Sequence, residues 1–400
     1  MKVAINGAGI AGPTLAFWLG KAGHEVLLVE ESAGLRTGGY IIDFWGIGYD
    51  IVDKMGLIPQ VCERGYQIKE VRFVDDEGRQ HGGFAVDVFG RMTNGRFTSV
   101  RRSDISAIIY DVLGENVRTL FNDSIVELTE NGDRVRARFK HAEADDFDLV
   151  IGADGLHSKI REIVFGPEKD FELSLGYHVA AFEIDGYRPR DELVYVSHDK
   201  PGRQVSRFSM RDDKTLVLFV FRDEHLHSTP CTLSEQKAAL RDTFGGLGWE
   251  CSPILDAMDS AASIYFDTVS QIRMEHWTRG RVGLVGDAAA CVSLMAGEGT
   301  GLAIAEAYVL AGELNRSNGD FAQAFSAYER LMMPFLKQKQ KSAAKFASAF
   351  APKTSLGIVF RNLITRLLRI PAIADYVIGR DLRDNILLPD YTSNEVTGRG

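Results

Sequence analysis

The sequence predicts an α/β fold: a Rossmann-like domain, an antiparallel sheet inserted into it, and a C-terminal helical segment. The first indication is an apolar strand at the N-terminus that leads through a glycine-rich turn into a helix and a second strand. That order is typical of a dinucleotide-binding unit. The second indication is a group of strand-like runs between residues 166 and 276, enclosed by two halves of the Rossmann-like domain.

The N-terminal unit consists of a strand at Lys2–Asn6, a helix at Pro13–Ala22 and a strand at Glu25–Glu30. The turn between the first strand and the helix reads Gly7-Ala8-Gly9-Ile10-Ala11-Gly12. Gly23 follows the helix as a C-terminal capping glycine would. The N-terminus of the helix offers unpaired N–H groups to phosphates, so the unit predicts a bound dinucleotide.

Each glycine of this turn has a physical task. Gly7 permits the tight turn, Gly9 lets a pyrophosphate approach the backbone, and Gly12 lets the helix pack close to the strand. Glu30 is placed to accept hydrogen bonds from a ribose, and its charge disfavours a 2′-phosphate in the same pocket. The motif alone does not separate FAD from NAD.

Two further glycine clusters lie far downstream. A strand leads to Asp154-Gly155, and another leads to Gly286-Asp287. A glycine-rich helix start then follows, with Gly297, Gly299, Thr300 and Gly301. Asp287 can accept a hydrogen bond from a ribityl hydroxyl, and the N–H groups of the helix start can stabilise negative charge on a reduced ring. Either cluster alone could be an ordinary turn.

The composition excludes several classes of protein. Apolar residues make up 45% and charged residues 25% of the 400 residues, unlike disordered, fibrous or coiled-coil chains. The net charge of −9 gives no support to general nucleic-acid binding. No long apolar run is present, so we expect no integral membrane segment and a cytoplasmic protein. The four cysteines are far apart without a CxxC pair, so we expect free thiols and no metal site.

The three glycine clusters together resemble those of the class A flavoprotein monooxygenases, the para-hydroxybenzoate hydroxylase-like family. The matching motifs are GAGIAG at Gly7–Gly12, DGLHSKIR at Asp154–Arg161 and GDAAACVSLMAGEG at Gly286–Gly299. The resemblance covers about residues 1 to 345. The sequences of the loop Arg36–Asp43 and of the helix at Ala307–Leu314 most resemble the tetracycline-inactivating branch of the family.

The resemblance implies FAD as the bound cofactor. Arg102 matches the arginine that contacts the flavin in relatives. The residues that we expect to bind FAD, from the motifs and the resemblance, are Gly7, Gly9, Ile10, Ala11, Gly12, Glu30, Arg36, Asp43, Arg102, Asp154, Asp287, Gly297, Gly299, Thr300 and Gly301. The chain departs from many relatives at Ala290, Leu294 and Glu298, where they have His, Pro and Gln. These departures put the placement of the flavin ring in question.

The segments predict a discontinuous domain organisation. The FAD-binding domain is expected to comprise residues 1–70, 98–165 and 277–345, and the substrate-binding sheet domain residues 71–97 and 166–276. Bridging helices are expected at 346–390 and a polar tail at 391–400. The resemblance implies that the sheet covers the flavin and forms the substrate cavity. Candidate substrate residues are Tyr177, His178, Tyr195, Arg207 and Phe219, although each could equally belong to an ordinary sheet core or surface.

The predicted function is that of an FAD-dependent monooxygenase, and the sequence leaves its catalytic residues open. NADPH or NADH would act as a transient reductant, and O2 would react through a flavin C4a-hydroperoxide. The substrate would be a hydrophobic aromatic or polycyclic small molecule, which is hydroxylated or receives an inserted oxygen. Cofactor chemistry of this kind needs few acid–base residues. Arg36 is the candidate for a nicotinamide phosphate contact, with the FAD adenosine or plain surface charge as alternatives.

Two other functions remain open at this point. The departures at Ala290, Leu294 and Glu298 suggest a flavin reductase or dehydrogenase without oxygen transfer. A flavin-bearing protein that sequesters a drug-like molecule belongs to a different class. An amphipathic helix expected at residues 354–370 could bridge the two domains or lie on a membrane. The sequence leaves the substrate, the nicotinamide preference and the oligomeric state open.

Overall fold

The structure is a computed structural model that describes residues 1–36, 40–226, 228–293, 297–367, 384 and 386–392. Side chains at 345–350 lie outside this description. Within these residues the strands form sheets of six, three, seven and two strands. The predicted α/β class, with an FAD-binding fold, further sheets and C-terminal helices, is confirmed.

The six-stranded sheet is the Rossmann-like core. Its strands are β1 (Lys2–Asn6), β2 (Glu25–Glu30), β7 (Val117–Phe121), β11 (Leu149–Gly152), β17 (Thr278–Arg279) and β18 (Val282–Leu284). They lie in the order β17-β18-β11-β1-β2-β7, and every pairing except β17/β18 is parallel. Because parallel strands end at one edge of the sheet, the three glycine-rich segments that follow β1, β11 and β18 meet there.

Helices and small sheets pack around this core. The helices are α1 (Ala11–Lys21), α2 (Gly46–Lys54), α3 (Ile58–Arg64), α4 (Asp87–Met92), α5 (Arg102–Tyr110) and α6 (Lys159–Phe165). Strands β3 (Ile41–Trp45) and β6 (Phe97–Arg101) form an antiparallel pair, and β8 (Ile125–Asn131), β9 (Arg134–Phe139) and β10 (Asp145–Phe147) form a three-stranded sheet. Helix α1 buries Leu15, Trp18 and Leu19, whose spacing of three and four residues places them on one side of the helix.

The seven-stranded sheet is formed by two separate segments of the chain. Its strands are β4 (Glu70–Val74), β5 (Gln80–Ala85), β12 (Glu172–Asp185), β13 (Val194–Lys200), β14 (Arg203–Ser209), β15 (Lys214–Arg222) and β16 (Tyr265–Ile272). The order is β16-β12-β15-β14-β13-β4-β5. Strand β13 begins at Val194, because Leu193 has a φ of 62°, which no extended strand residue adopts. Helices α7 (Leu233–Phe244) and α8 (Cys251–Ala257) cover one face of this sheet.

The C-terminal part of the chain is helical. Its helices are α9 (Asp287–Ala290), α10 (Gly299–Arg316), α11 (Phe321–Phe350) and α12 (Ser355–Leu367). The amphipathic helix expected at 354–370 corresponds to α12, and residues 368–370 lie outside the described residues. Helix α12 packs on β5, where a Cβ at Gly82 would lie 3.0 Å from the Asn362 side chain. Among the described residues, every helix is too short or too polar to cross a bilayer.

We expect Gly83→Ala to destabilise the edge of the seven-stranded sheet. Gly83 has a φ of 122°, and its Cβ would lie 2.2 Å from the carbonyl oxygen of Val71. Strain and overpacking together should lower the free energy of unfolding by about 1–3 kcal/mol, measured by urea unfolding. Gly114→Ala is the control, because nothing lies within 4 Å of that position. Equal stability of the two variants would contradict the strained geometry.

Candidate cofactor site and substrate cavity

The first glycine-rich turn is closed on two sides and open on the third. A Cβ at Gly7 would lie 2.5 Å from the carbonyl oxygen of Ala153, and one at Gly12 would lie 1.9 Å from that of Gly7. In the part of the chain that the structure describes, no atom lies within 4 Å of a Cβ added at Gly9. The residues Ile10 and Ala11 then begin helix α1. The turn therefore leaves backbone free to receive a ligand at Gly9, directly before the helix N-terminus.

Glu30 lies beneath this turn and holds its shape. One carboxylate oxygen accepts a hydrogen bond from Ala8 N–H at 2.9 Å, and the other accepts one from Ser32 N–H at 3.0 Å. A carboxylate oxygen has more than one lone pair, so both oxygens can still accept from a ribose. Arg36 lies nearby, with Nε 4.0 Å from Glu30 and its side chain 82% exposed. Arg36 is thus a solvent-exposed cation at the rim of the site, beside Glu30.

Asp154 organises the second motif through four protein donors. Its carboxylate accepts from Asn6 Nδ2 at 3.0 Å, Ser158 Oγ at 2.5 Å, Lys159 N–H at 2.8 Å and Ile160 N–H at 3.1 Å. The strand β1 and the start of α6 are tied together by this one side chain. These four donors take up the Asp154 carboxylate. A direct contact between Asp154 and FAD stays a prediction.

Arg161 connects the second motif to the third. Its guanidinium is fully buried, and it donates to the carbonyl oxygens of Leu156 at 2.6 Å and Ala288 at 3.1 Å. It also pairs with Glu168 at 2.6 Å. In the sequence Arg161 is the last residue of the DGLHSKIR motif, and no role was predicted for it. A cation inside a buried glycine-rich segment was the available signal for this bridging role.

Glu306 supports the third motif from within α10, and the sequence reasoning missed it. Its carboxyl group accepts from Gly286 N–H at 3.0 Å and from the Tyr328 hydroxyl at 2.9 Å. Burial raises the pKa of Glu306 well above its usual value. The available signal was an acidic residue in the middle of the apolar run Leu302–Leu310. This contact fixes the backbone just before Asp287.

A cleft opens where the turns meet the seven-stranded sheet. Asp43, Arg102 and Asp287 lie deep in the protein and yet keep solvent-accessible surface, as residues lining a cleft do. Burial raises the pKa of Asp287, and the positive charge of Arg102 opposes that shift. Burial likewise raises the pKa of Asp43, opposed by the Ser99 hydroxyl that donates to it at 2.6 Å. The predicted Arg102, Asp287 and Asp43 therefore line one cleft.

The start of helix α10 forms another wall of this cleft. Gly297 has a φ of 69°, and among the described residues no atom lies within 4 Å of its Cβ position. A Cβ added at Gly299 would lie 3.9 Å from Asp287 Oδ1. Thr300 is buried. Gly301 lies against Gly48, where an added Cβ would lie 3.6 Å from the Gly48 Cα. The helix N-terminus is thus open to the cleft and able to accept negative charge.

The residues present fit FAD. The open backbone at Gly9 and the N-terminus of α1 suit a pyrophosphate. The open backbone at Gly297 and the N-terminus of α10 suit a ring edge that gains negative charge. The accessible carboxylate of Asp287 suits a ribityl hydroxyl. Of the three departures from relatives, Ala290 is buried in α9, and Leu294 lies outside the described residues. The third, Glu298, pairs with Lys339 Nζ at 2.9 Å. Among the described residues, no cluster of three or more His, Cys, Asp or Glu could hold a metal ion.

The alternation of side chains separates the five predicted substrate residues. Tyr177 and Tyr195 lie on the face of the seven-stranded sheet that is turned toward β3 and β6, which we call the inner face. His178, Arg207 and Phe219 lie on the outer face, which helices α7 and α8 cover. Successive strand residues point to opposite faces, so Tyr177 and His178 cannot share a cavity wall. The structure therefore places three of the five predicted substrate residues away from the cleft.

The outer-face residues have structural partners instead. The Arg207 guanidinium forms ion pairs with Glu250 at 2.7 Å and Asp191 at 2.8 Å. Phe219 packs on Phe244 with ring centroids 4.5 Å apart. His178 contacts Asp223 at 3.1 Å. These contacts attach the covering segments to the sheet.

Residues of the inner face that the sequence reasoning missed complete the cavity wall. Leu218 keeps accessible surface in β15, although a strand lies on each side of it. Tyr265 keeps accessible surface in the edge strand β16 and lies 5.8 Å from Tyr40 between ring centroids. The available signal was the strand pattern itself, since Leu216, Leu218 and Val220 share a face of β15. The inner face is therefore an aromatic and aliphatic surface that adjoins the cleft.

A chain of polar groups leads from this face toward solvent. The Tyr265 hydroxyl donates to Asp267 at 3.3 Å, and His157 lies 3.4 Å from Asp267 and 2.9 Å from Glu168. The hydrogen bond with Asp267, followed by that with Glu168, raises the pKa of His157 to about 9. His157 is therefore protonated at neutral pH.

Known proteins with this fold and these motifs are flavin enzymes. A family model described as an FAD binding domain matches residues 1–322. A flavin-dependent monooxygenase from an unknown prokaryotic organism is 34% identical over 353 residues, covering 88% of this chain and 90% of that protein. One from Legionella longbeachae is 34% identical over 404 residues, covering 98% and 99%. The crystal structure of tetracycline destructase Tet(51) has a TM-score of 0.82 at 32% identity, covering 98% of this chain and 99% of that one.

The chain therefore belongs to the class A flavin monooxygenase family, and the predicted resemblance is confirmed. It is an FAD-dependent monooxygenase, with flavin-dependent monooxygenases and a tetracycline destructase among its relatives.

We expect Gly9→Ala and Gly12→Ala to fail in different ways. A methyl group at Gly9 meets no protein atom within 4 Å, so the apoprotein should keep its thermal stability while FAD affinity falls about tenfold or more. Gly12→Ala places a methyl 1.9 Å from a carbonyl oxygen and should cost about 1–3 kcal/mol of stability. Thermal unfolding of the apoprotein and FAD titration by fluorescence quenching measure the two effects. Wild-type FAD affinity in Gly9→Ala would contradict the assigned pyrophosphate position.

We expect His157 to titrate with a midpoint near pH 9 in the folded protein, against 6.5 in the unfolded chain. The folded-state pKa is raised, so the stabilisation by His157 is fully present below pH 6.5 and is lost as the pH rises through about 9. NMR titration of the ring and unfolding at several pH values measure both. Asp267→Asn should lower the midpoint, and a wild-type midpoint near 6.5 would contradict the ion pairs.

Proposed function

We propose that this monooxygenase uses NADPH or NADH and O2 to oxygenate a hydrophobic aromatic or polycyclic compound that lies against the inner face of the seven-stranded sheet. One observation carries the proposal: Tyr195, Leu218 and Tyr265 keep accessible surface on that face. A flat apolar surface with phenol groups suits a polycyclic ligand, since such pockets combine apolar walls with a few polar groups.

The side chains around the cleft bind and orient, and they exclude water. Bound FAD supplies the electron transfer and oxygen activation, chemistry that belongs to the cofactor. Asp287 and the start of α10 hold its ribityl and ring portions in this proposal, and Gly9 and α1 hold its pyrophosphate. Tyr40 and Tyr265, 5.8 Å apart between ring centroids, close the apolar side of the cleft.

The inner-face polar chain gives a phenolic substrate a route for its proton. The Tyr265 hydroxyl lies 3.3 Å from Asp267, which lies 3.4 Å from the protonated and largely exposed His157. A proton released in the cavity can pass through the Tyr265 hydroxyl to the Asp267 carboxylate, which is 17% exposed and can release it to water. His157 already carries a proton on each ring nitrogen, so it does not accept this proton and instead stabilises the charge of Asp267. Hydroxylation of an aromatic ring is favoured by ionisation of its phenol, so this chain supports hydroxylation over oxygen insertion.

The reductant is proposed to bind transiently at the rim. The residues that the structure describes contain one dinucleotide-binding βαβ unit, which FAD occupies in this proposal. Arg36 is exposed, so it can meet a phosphate of the nicotinamide nucleotide, but its position 4.0 Å from Glu30 equally suits the adenosine end of FAD. In Arg36→Ala, a slower anaerobic reduction by NADPH at unchanged FAD affinity supports the first role, and weaker FAD binding supports the second.

Labelled oxygen tests the reaction itself. Purified protein with FAD is mixed with NADPH and a panel of polycyclic phenols that includes tetracycline, the compound class named for the related destructase. Incorporation of one ¹⁸O atom from ¹⁸O2 into product is the expected result. NADPH consumption with quantitative H2O2 and no labelled product would support a reductase. Tight ligand binding without NADPH consumption would support a sequestering protein.

We expect Leu218→Ala to weaken binding of a substrate found in this way by roughly tenfold, because an apolar contact on the cavity wall is lost. Val217→Ala is the matched control, since Val217 precedes it in β15 and is fully buried on the outer face. Val217→Ala should lower the melting temperature and leave the KM unchanged. A KM that responds to Val217→Ala and not to Leu218→Ala would contradict the choice of face.

A further inference from the structure

Lys339 places a buried positive charge between two carboxylates at the start of helix α10. Its Nζ lies 2.9 Å from Glu298 and 2.9 Å from Asp384. The Lys339 side chain is 10% exposed, and those of Glu298 and Asp384 are 18% and 14% exposed. Three charges from α10, α11 and the C-terminal segment therefore meet away from bulk water.

The group adjoins the cleft wall that we assign to the flavin ring. Glu298 directly precedes the first residue of α10, and a small cavity is bounded by Glu298, Asp384, Asp43 and Gly301. Asp384 also accepts a hydrogen bond from Ile47 N–H at 2.7 Å. Lys339 Nζ lies 5.8 Å from the ring centroid of Trp45, which belongs to β3. The ammonium group thus lies between two carboxylates, with an aromatic ring near it.

The charges of this group act on the start of α10. A flavin that accepts electrons gains negative charge, which the helix N-terminus stabilises. A buried carboxylate at Glu298 would oppose that effect, since like charges in a poorly solvated site repel strongly. Lys339 offsets one of the two carboxylate charges, so the group carries a net charge of −1 and not −2, and more of the stabilisation by the helix dipole remains.

We propose that Lys339 is a positioning residue that holds Glu298 and offsets its charge, and that it thereby sets how strongly the site prefers the reduced flavin. The proposal rests on the assignment of the flavin ring to the start of α10. It does not depend on the substrate or on oxygen transfer. The buried carboxylate of Glu298 requires a positively charged partner, and α11 supplies Lys339.

The test is the midpoint potential of FAD bound to the full-length protein, measured by anaerobic dye-coupled reduction. Lys339→Gln leaves Glu298 without its cation and should weaken binding of reduced relative to oxidised FAD about tenfold, which lowers the potential by about 30 mV for a two-electron couple. Glu298→Gln leaves Lys339 with one carboxylate partner fewer and should raise the potential. The double variant should return close to the wild-type value.

Three comparisons separate this role from a merely structural one. Lys339→Arg, which keeps the charge, should retain most of the wild-type potential. Lys337→Gln, at an exposed position of the same helix, should leave the potential unchanged. FAD affinity and melting temperature of each variant report any loss of folding. Shifts of the same sign in Lys339→Gln and Glu298→Gln, or no shift in either folded variant, would overturn the proposal, and neither result depends on whether a substrate is oxygenated.

Discussion

Hydrogen bonds between three glycine-rich segments determine the cofactor site, and the rest of the structure depends on them. Asn6 at the end of β1 donates to Asp154 at 3.0 Å, and Arg161 from the same motif donates to Ala288 at 3.1 Å. Glu306 adds a contact from α10 to Gly286. These bonds hold backbone segments that lie more than a hundred residues apart at one edge of a parallel sheet. Because buried polar groups are costly when unpaired, the arrangement specifies a single geometry.

The second constraint is the two-residue period of the seven-stranded sheet. Helices α7 and α8 cover one face, and the residues there form a closed apolar core around Phe219 and Phe244. The other face meets β3, whose preceding residue Tyr40 lies opposite Tyr265. A strand residue can serve the core or the cavity, but not both. The same alternation that stabilises the sheet therefore selects which side chains can contact a substrate.

Charge in the cleft is distributed in compensated pairs. Arg102 opposes the burial-driven rise in the pKa of Asp287, and Lys339 stands beside Glu298. Both pairs lie next to helix N-termini, at α5 and α10, and not in bulk solvent. In a poorly solvated site the removal of one charge strongly changes the electrostatic energy of the neighbouring charges. These pairs supply fixed charges to the walls of the cleft.

The sequence by itself determined the nucleotide-binding unit, the α/β class and the family, because glycine turns and the periods of helix and strand are local requirements of the backbone. It also predicted FAD contacts for Asp43, Arg102, Asp287 and the start of α10; these residues lie around one cleft, and the contacts themselves stay predictions. Only the tertiary structure decided that His178, Arg207 and Phe219 face away from that cleft, that Asp154 is engaged by four protein donors, and that Lys339 accompanies Glu298. Those outcomes depend on which face of a sheet is covered and which distant side chains meet, and no local pattern encodes such contacts.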